Sequence, residues 1–293
     1  MIFFVLVKID YKNVPLINRS NTFYSVKGNN VYDRFHQFEA DKAYDVLVCG
    51  SSHAYRGYDP GIFESHGYDA YNLGSSGQNI RDTYRIVKSL STKPKLLVID
   101  LYTGSFKGDG VESASELITN VNSDNLAKEI AFASFDWRLS SIYMKRILEQ
   151  DKEPIYLEDE SERRGLYRGY VAKSDSVQTE IDYEKLGLVF KPNNFSFDYF
   201  IDFLDYLEDE KMNVVFITHP IPNKVSLNEM RSFDYIVRKL INNRFQYLNF
   251  ALIPNLSFDP SNDFYDSHHL NKSGVKKFNE LLITELKNSS LLP

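Results

Sequence analysis

The sequence predicts an α/β fold: a parallel sheet of about five strands with helices on both faces, making a three-layer α/β/α sandwich. Three observations predict it. Five short runs rich in β-branched and apolar residues read as buried strands, helical periods separate them, and polar or glycine-rich residues gather where the strands end. Strands alternating with helices imply right-handed crossovers that cover both faces of the sheet. In such a sheet a ligand site lies at the carboxyl ends of the strands.

The N-terminus, "MIFFVLVKIDYK", is apolar for seven residues and then charged. It is too short to span a bilayer, and it lacks a basic n-region and a small-residue cleavage site. It reads either as an edge strand or as the outer end of a membrane helix. The polar, linker-like stretch through Lys42 favours the second, so residues 1–42 are read as an extension that associates with a membrane through a short N-terminal segment. Residues 43–293 form the main domain. Within it, strands are expected over Asp45–Cys49, Ala70–Leu73, Leu96–Leu101, Asn213–Thr218 and Phe245–Phe250.

Helical periods follow. Residues 80–90 repeat apolar positions at Tyr84, Val87 and Leu90, and residues 195–212 place Phe200, Phe203, Leu204 and Leu207 on one stripe. Residues 227–241 and 273–287 keep the same period, the last opening at an Asn271 or Ser273 cap. Between about Ser105 and Pro192 the alternation breaks. Residues 126–150 read as one or two helices, followed by a polar segment without a clean period. This insertion, at about 105–192, is expected to rise from the end of the third strand and cover the site as a cap. Its Trp137, Tyr143, Tyr167 and Tyr170 suit either sugar stacking or packing inside the cap. Arg163, Arg164 and Arg168 suit an anionic polymer, although a solvated loop balancing the acidic run before them is the plainer reading.

Composition narrows the functional classes. A net charge of -6 over 293 residues supplies no positive field to displace counterions, which argues against nucleic acid as a partner. The single cysteine, Cys49, lies in an apolar strand and reads as a buried structural thiol. With 20 Tyr and 21 Phe against one Trp, aromatic packing is expected throughout.

The strand ends carry the chemistry. The first delivers Gly50-Ser51-Ser52-His53, the second "NLGSSGQN" (72–79), the third "DLYTGS" (100–105), and the fourth ends at His219. Before the last helix comes "FYDSHHLNKSG" (264–274). Asp266 and His269 are three apart, a spacing that in a helical turn brings Cβ atoms within roughly 5–6 Å. A carboxylate on the imidazole Nδ1–H fixes the tautomer and leaves Nε2 as a base. A serine hydroxyl needs such a base to become nucleophilic, and Ser52 stands at another strand end to receive it. A metal is the alternative use of His268 beside His269, with His53, His219 and Asp266 as further ligands, but the spacing matches no familiar metal motif. His53 and His219 are otherwise read as site-lining or hydrogen-bonded residues.

Together these blocks resemble the SGNH (GDSL-like) hydrolase superfamily, and within it the branch of cell-envelope acyl-transfer proteins. The branch includes polysaccharide O-acetyltransferases and D-alanyl-lipoteichoic acid transfer proteins. The superfamily's first block, Gly-Asp-Ser, stands here as Gly50-Ser51-Ser52; its second-block glycine is matched by Gly77; its last block, Asp-x-x-His, is met by Asp266 and His269, with Gly274 opening the helix after it. The match covers about residues 44–104 and 213–288. It implies a flavodoxin-like parallel sheet, a catalytic triad of Ser52, Asp266 and His269, and an oxyanion hole of Ser52 and Gly77.

It also implies O-acyl ester hydrolysis or acyl transfer on a saccharide or envelope polymer, outside the cytoplasm, with neither cofactor nor metal. Two positions depart from the pattern. Ser51 replaces the first-block aspartate, and the third block has no asparagine to donate to the oxyanion, a loss worth ~10²–10³ in turnover. Tyr102, Thr103, Asn79 or a backbone N–H is expected to substitute, with Asn79 and Tyr102 as substrate contacts. Without such a substitute the fold serves as a catalytically weak binding or scaffold protein in polysaccharide biosynthesis.

Overall fold

Five apolar strands occupy the centre of the molecule: Val46–Cys49 (β1), Ala70–Asn72 (β2), Leu96–Asp100 (β3), Val214–Thr218 (β4) and Gln246–Asn249 (β5). The structure is a computed structural model that describes residues 10–11, 14–15, 27–107, 110–133, 136–149, 151–156, 165–173, 190, 194–222, 227–253, 256 and 258–293. The strands pair in the order β2-β1-β3-β4-β5, all parallel. Register sets Val48 beside Val98, Ile99 beside Phe216 and Thr218 beside Asn249, so the carboxyl ends of β1, β3, β4 and β5 lie together. This is the predicted sandwich, with each strand within one or two residues of its expected bounds.

Burial on both faces explains why β1, β3 and β4 read as nearly continuous apolar runs rather than alternating ones. Leu47, Cys49, Leu97, Ile99 and Phe216 join one core, and Val46, Val48, Leu96, Val98, Val215 and Ile217 join the other. The first core is covered by helices Ile80–Lys88 (α4), Asn194–Asp209 (α8) and Leu227–Ile241 (α9), through Ile86, Phe203, Leu207 and Phe233 among others. The second is covered by Ser52–Gly57 (α2), Pro60–Ser65 (α3) and Lys272–Asn288 (α10). Phe278 of α10 is fully buried, edge-on to Tyr58 at 5.2 Å and to Phe250 at 5.3 Å. Truncating such a ring to alanine costs about 3–5 kcal/mol.

Two regions differ from the expectation. The stretch through Lys42, expected as a polar linker, contains helix Asn30–Gln37 (α1), capped by Asn29, whose Oδ1 accepts the N–H of Val31 and Tyr32. Val31 and Phe35 join the first core, and the fully buried Arg34 donates to the carbonyls of Gly74 at 2.6 Å and Gly169 at 2.8 Å. Polar composition hid a short helix whose arginine serves two backbone carbonyls. Before it, Asp10–Tyr11 and Val14–Pro15 pair as short antiparallel strands, and the apolar run at 1–7 lies outside the described residues. Among the described residues no helix is long and apolar enough to cross a membrane.

Over residues 126–150, where one or two helices were expected, the insertion holds two, Asp124–Phe132 (α6) and Trp137–Leu148 (α7), and ahead of them lies a further helix, Val111–Asn120 (α5). Leu117, Ile118, Leu126, Ile130, Leu139 and Ile142 bury them in the first core. Further on, the hairpin Leu166–Tyr167 and Tyr170–Val171 runs beside the edge strand β2, where the Asn72 N–H donates to the Arg168 carbonyl at 3.0 Å. Covering that edge satisfies backbone groups that an open strand would present to other chains. Arg168 pairs with Glu64 and Asp69, so its charge is neutralised within the fold rather than offered to an anionic polymer. Arg163, Arg164 and the acidic run at 158–162 lie outside the described residues.

Candidate active site

Gly50 ends β1 with φ +146, a conformation that favours glycine. A Cβ there would meet the Asp100 Cβ and carbonyl oxygen at 2.9 Å, backbone that has no room to move. The chain then turns directly into α2, with Ser51 as N-cap and Ser52 as the first helical residue. Residues in the first turn of a helix leave their N–H groups without intrahelical acceptors. Ser52 therefore presents its hydroxyl and its amide at the carboxyl edge of the sheet.

The partner loop is held by a bridge between Phe264 and Leu270, both buried, and by the Tyr265 N–H donating to the His269 carbonyl at 2.8 Å. Within it, Asp266 Oδ1 accepts the N–H of His268 at 2.9 Å and of His269 at 2.8 Å, and Oδ2 lies 2.7 Å from His269 Nδ1. His269 Nε2 lies 2.8 Å from Ser52 Oγ. Residues 217 positions apart thus form one hydrogen-bonded chain: hydroxyl, imidazole, carboxylate. Burial alone would raise the Asp266 carboxyl, but the hydrogen bond and charge of His269, with the two backbone N–H donors, outweigh it and hold the group well below the usual carboxylate range. A permanent carboxylate at Nδ1 directs the free lone pair of His269 toward Ser52.

Gly77 sits in the second loop with φ +56. That loop is tied to the first by the Ser75 N–H donating to the Gly50 carbonyl at 3.1 Å. From the other side it is gripped by the insertion: the buried Glu116 accepts the Ser76 N–H at 3.0 Å, and Glu112 accepts the Ser76 hydroxyl at 2.9 Å. The insertion, expected as a cap, here acts as a buttress on the loop that carries Gly77. No sequence motif marked Glu112 or Glu116, because their partners lie 36 and 40 residues away.

Asn79 corrects the expectation of a substrate contact. It is buried as the N-cap of α4, and its Oδ1 accepts the Asp82 N–H at 2.9 Å. An asparagine just before a helical period is a capping signal. Tyr102 does line the site: its ring lies 4.1 Å from that of His53 and, near-parallel, 6.1 Å from that of His268. Thr103 begins a buried 3₁₀ turn to Phe106 in place of an asparagine-bearing loop.

Three further histidines, His53, His219 and His268, gather beside the hydrogen-bonded chain of Ser52, His269 and Asp266. His53 stacks on His219 at 4.0 Å and 18°, and on His269 at 4.6 Å and 25°. His219 Nδ1 lies 3.1 Å from Asp100 Oδ2, which also accepts the Tyr58 hydroxyl at 2.7 Å. Burial drives the His53 imidazole well below the ordinary histidine range, and the neighbouring imidazoles push the same way. Burial likewise takes His268 down to about 4, with His269 adding to it. Two trios, His53–His268–His269 and His53–Asp100–His219, bring ligand atoms within 4.8 Å of one another. Within them His53 is stacked on His219 and on His269, while His268 is tilted by 49° to His53 and 41° to His269.

No family model matches the sequence, and no curated protein matches it significantly. Solved structures do. The chain is similar to a putative acylhydrolase from Bacteroides fragilis, at 14% identity and TM-score 0.41, covering 97% of this chain and 100% of that one. It is similar to a GDSL-like lipase from Bacteroides thetaiotaomicron, at 12% identity and TM-score 0.43, covering 89% and 98%. It is also similar to an SGNH-hydrolase family esterase, at 16% identity and TM-score 0.33, covering 86% and 98%. At such identities and TM-scores these likenesses carry no argument about this chain, and what the site can do follows from its own residues.

Proposed function

We propose that the protein breaks O-acyl esters through an acyl-enzyme on Ser52. One observation carries the proposal: Ser52 Oγ, His269 Nε2, His269 Nδ1 and Asp266 Oδ2 stand in line at 2.8 and 2.7 Å. Ser52 Oγ attacks the ester carbonyl carbon while its proton passes to His269 Nε2, and Asp266 stabilises the imidazolium. The oxyanion falls to the N–H groups of Ser52 and Gly77. The carbon–oxygen bond to the alcohol then breaks, and His269 returns the proton to the departing oxygen. Water or a sugar hydroxyl, deprotonated by His269, attacks the carbonyl carbon of acyl-Ser52; the bond from that carbon to Ser52 Oγ breaks, His269 returns the proton to Oγ, and an acid or a new ester leaves.

The resemblance to envelope acyl-transfer proteins supports a saccharide or envelope polymer as substrate and a location outside the cytoplasm, at the cell envelope. Exposed Trp137 and Tyr167 on the insertion supply aromatic faces suited to sugar rings, whereas Tyr170 is buried. Incubation with an acyl donor and candidate oligosaccharides, read by mass spectrometry of the acceptor, separates transfer from hydrolysis. Mass gain on the acceptor supports transfer; free acid alone reduces the function to hydrolysis. The 3₁₀ turn at Thr103–Phe106, without an asparagine donor, favours a second reading as a scaffold with little turnover. A fluorophosphonate probe decides, since labelling requires an activated serine.

A further inference from the structure

We propose that His53 is a positioning residue for this reaction: the middle ring of a column, His269–His53–His219, that sets the plane of the base against Ser52. The inference rests on the assignment of Ser52 and His269 above. Hydrogen bonds between Nδ1 and Asp266 and between Nε2 and Ser52 hold the two edges of the His269 ring, and the tilted His268 ring meets it at 4.1 Å and 41°. A near-parallel contact on the flat face then fixes the plane of the ring about the axis between those two bonds. His53 supplies that contact at 4.6 Å, and His219 backs it at 4.0 Å. Among the described residues His219 and His269 share no ring contact, so His53 is the spacer between them.

The spacer is itself held. It is 3% exposed, its Nδ1 lies 3.1 Å from Ser51 Oγ, and Tyr102 and His268 flank it at 4.1 and 5.1 Å. His219 rests on Asp100, at the end of a central strand. The column therefore ties α2, the end of β3, the residue after β4 and the Asp266–His269 loop to one geometry. Burial keeps His53 uncharged, so it does not repel the imidazolium that forms on His269 during attack. Neither Nε2 of His53 nor Nε2 of His219 has a hydrogen-bond partner among the described residues, so each ring meets its neighbours mainly through its face.

The test compares His53→Ala, which removes the ring, with His53→Phe, which keeps a flat face without the Ser51 bond. For His53→Ala, kcat on p-nitrophenyl acetate should fall ~10²-fold, the cost of a base displaced by about 1 Å. KM should stay within about threefold, and added imidazole should restore part of the rate by refilling the column. His53→Phe should keep kcat and fluorophosphonate labelling within about fivefold of the parent. A wild-type kcat in His53→Ala overturns the proposal, as does His53→Phe reacting as slowly as His53→Ala. If His53→Ala does not fold, His53→Phe decides alone: near-parent labelling supports the column and a ~10²-fold loss overturns it. Ser52→Ala runs alongside. Labelling that survives there overturns the Ser52 assignment, whereas labelling lost there but unchanged in His53→Ala overturns the column alone.

Discussion

Two aspartate–histidine pairs lie within one layer of each other, and they have opposite surroundings. Asp266 and His269 stand 2.7 Å apart with side chains 24% and 12% exposed, and the far nitrogen of the imidazole reaches a serine hydroxyl. Asp100 and His219 stand 3.1 Å apart, almost wholly enclosed, and the far nitrogen meets no partner among the described residues. The carboxylate of the first pair is held by backbone N–H groups of a surface loop, that of the second by the Tyr58 hydroxyl in the core. An aspartate beside a histidine thus makes no active site by itself. The neighbouring alcohol and a path to solvent decide it; without them the same pair becomes a foundation.

The sharpest way to break this distinction is Ser52→Ala, which should abolish fluorophosphonate labelling and reduce ester hydrolysis by ~10⁴-fold or more. Ser51→Ala should instead appear chiefly as a loss of about 1 kcal/mol in denaturant unfolding, the usual cost of a helix cap. If labelling moves to the opposite pattern, the nucleophile is misassigned.

The pairs themselves come next. Asp266→Asn should lower kcat by ~10⁴, as expected when the imidazole loses its orienting carboxylate. Asp100→Asn should lower kcat by less than about tenfold but cost about 1–3 kcal/mol of stability, because two buried donors lose their charged acceptor. Equal kinetic losses in the two variants would erase the contrast.

Acid should act on the histidine column and on Asp266 in different windows. His53 is held uncharged in the folded state, so below the ordinary histidine range, ~6.5, the unfolded chain binds more protons than the folded one. Stability therefore falls as pH drops, by up to ~1.4 kcal/mol per pH unit for His53, and His268 adds to the fall until about pH 4. Asp266 works in the other window: its depressed carboxyl contributes stability above ~3.9 that is lost only in stronger acid. Denaturant midpoints at pH 7 and pH 5 should differ, and His53→Phe should narrow the gap; a flat profile contradicts a neutral column.

The smallest expected effect is none. EDTA should leave hydrolysis unchanged, since no step needs a metal. Activity lost to the chelator and restored by zinc would hand the histidine trios back to a metal site.

Local sequence determined the sheet, because a strand buried on both faces must be apolar along its packed length, and the β1 run Val46–Cys49 and the β3 residues 96–99 are. It also marked Ser52, Asp266 and His269, which the structure brings into one hydrogen-bonded chain, since Gly50-Ser51-Ser52 and Asp266-x-x-His269 are short blocks whose local geometry is set within a few residues. Helix α1 escaped because one buried arginine and two apolar residues read as a polar linker. Asn79 misled because capping and substrate binding ask for the same side chain. Tertiary structure alone decided the rest: which histidines stack, that Glu116 of the insertion grips the loop of Gly77, and that Arg168 turns inward to Glu64 and Asp69. Those contacts join residues tens to more than a hundred positions apart. Their energy comes from burial and charge pairing that exist only once the chain has closed around them, so no local pattern records them.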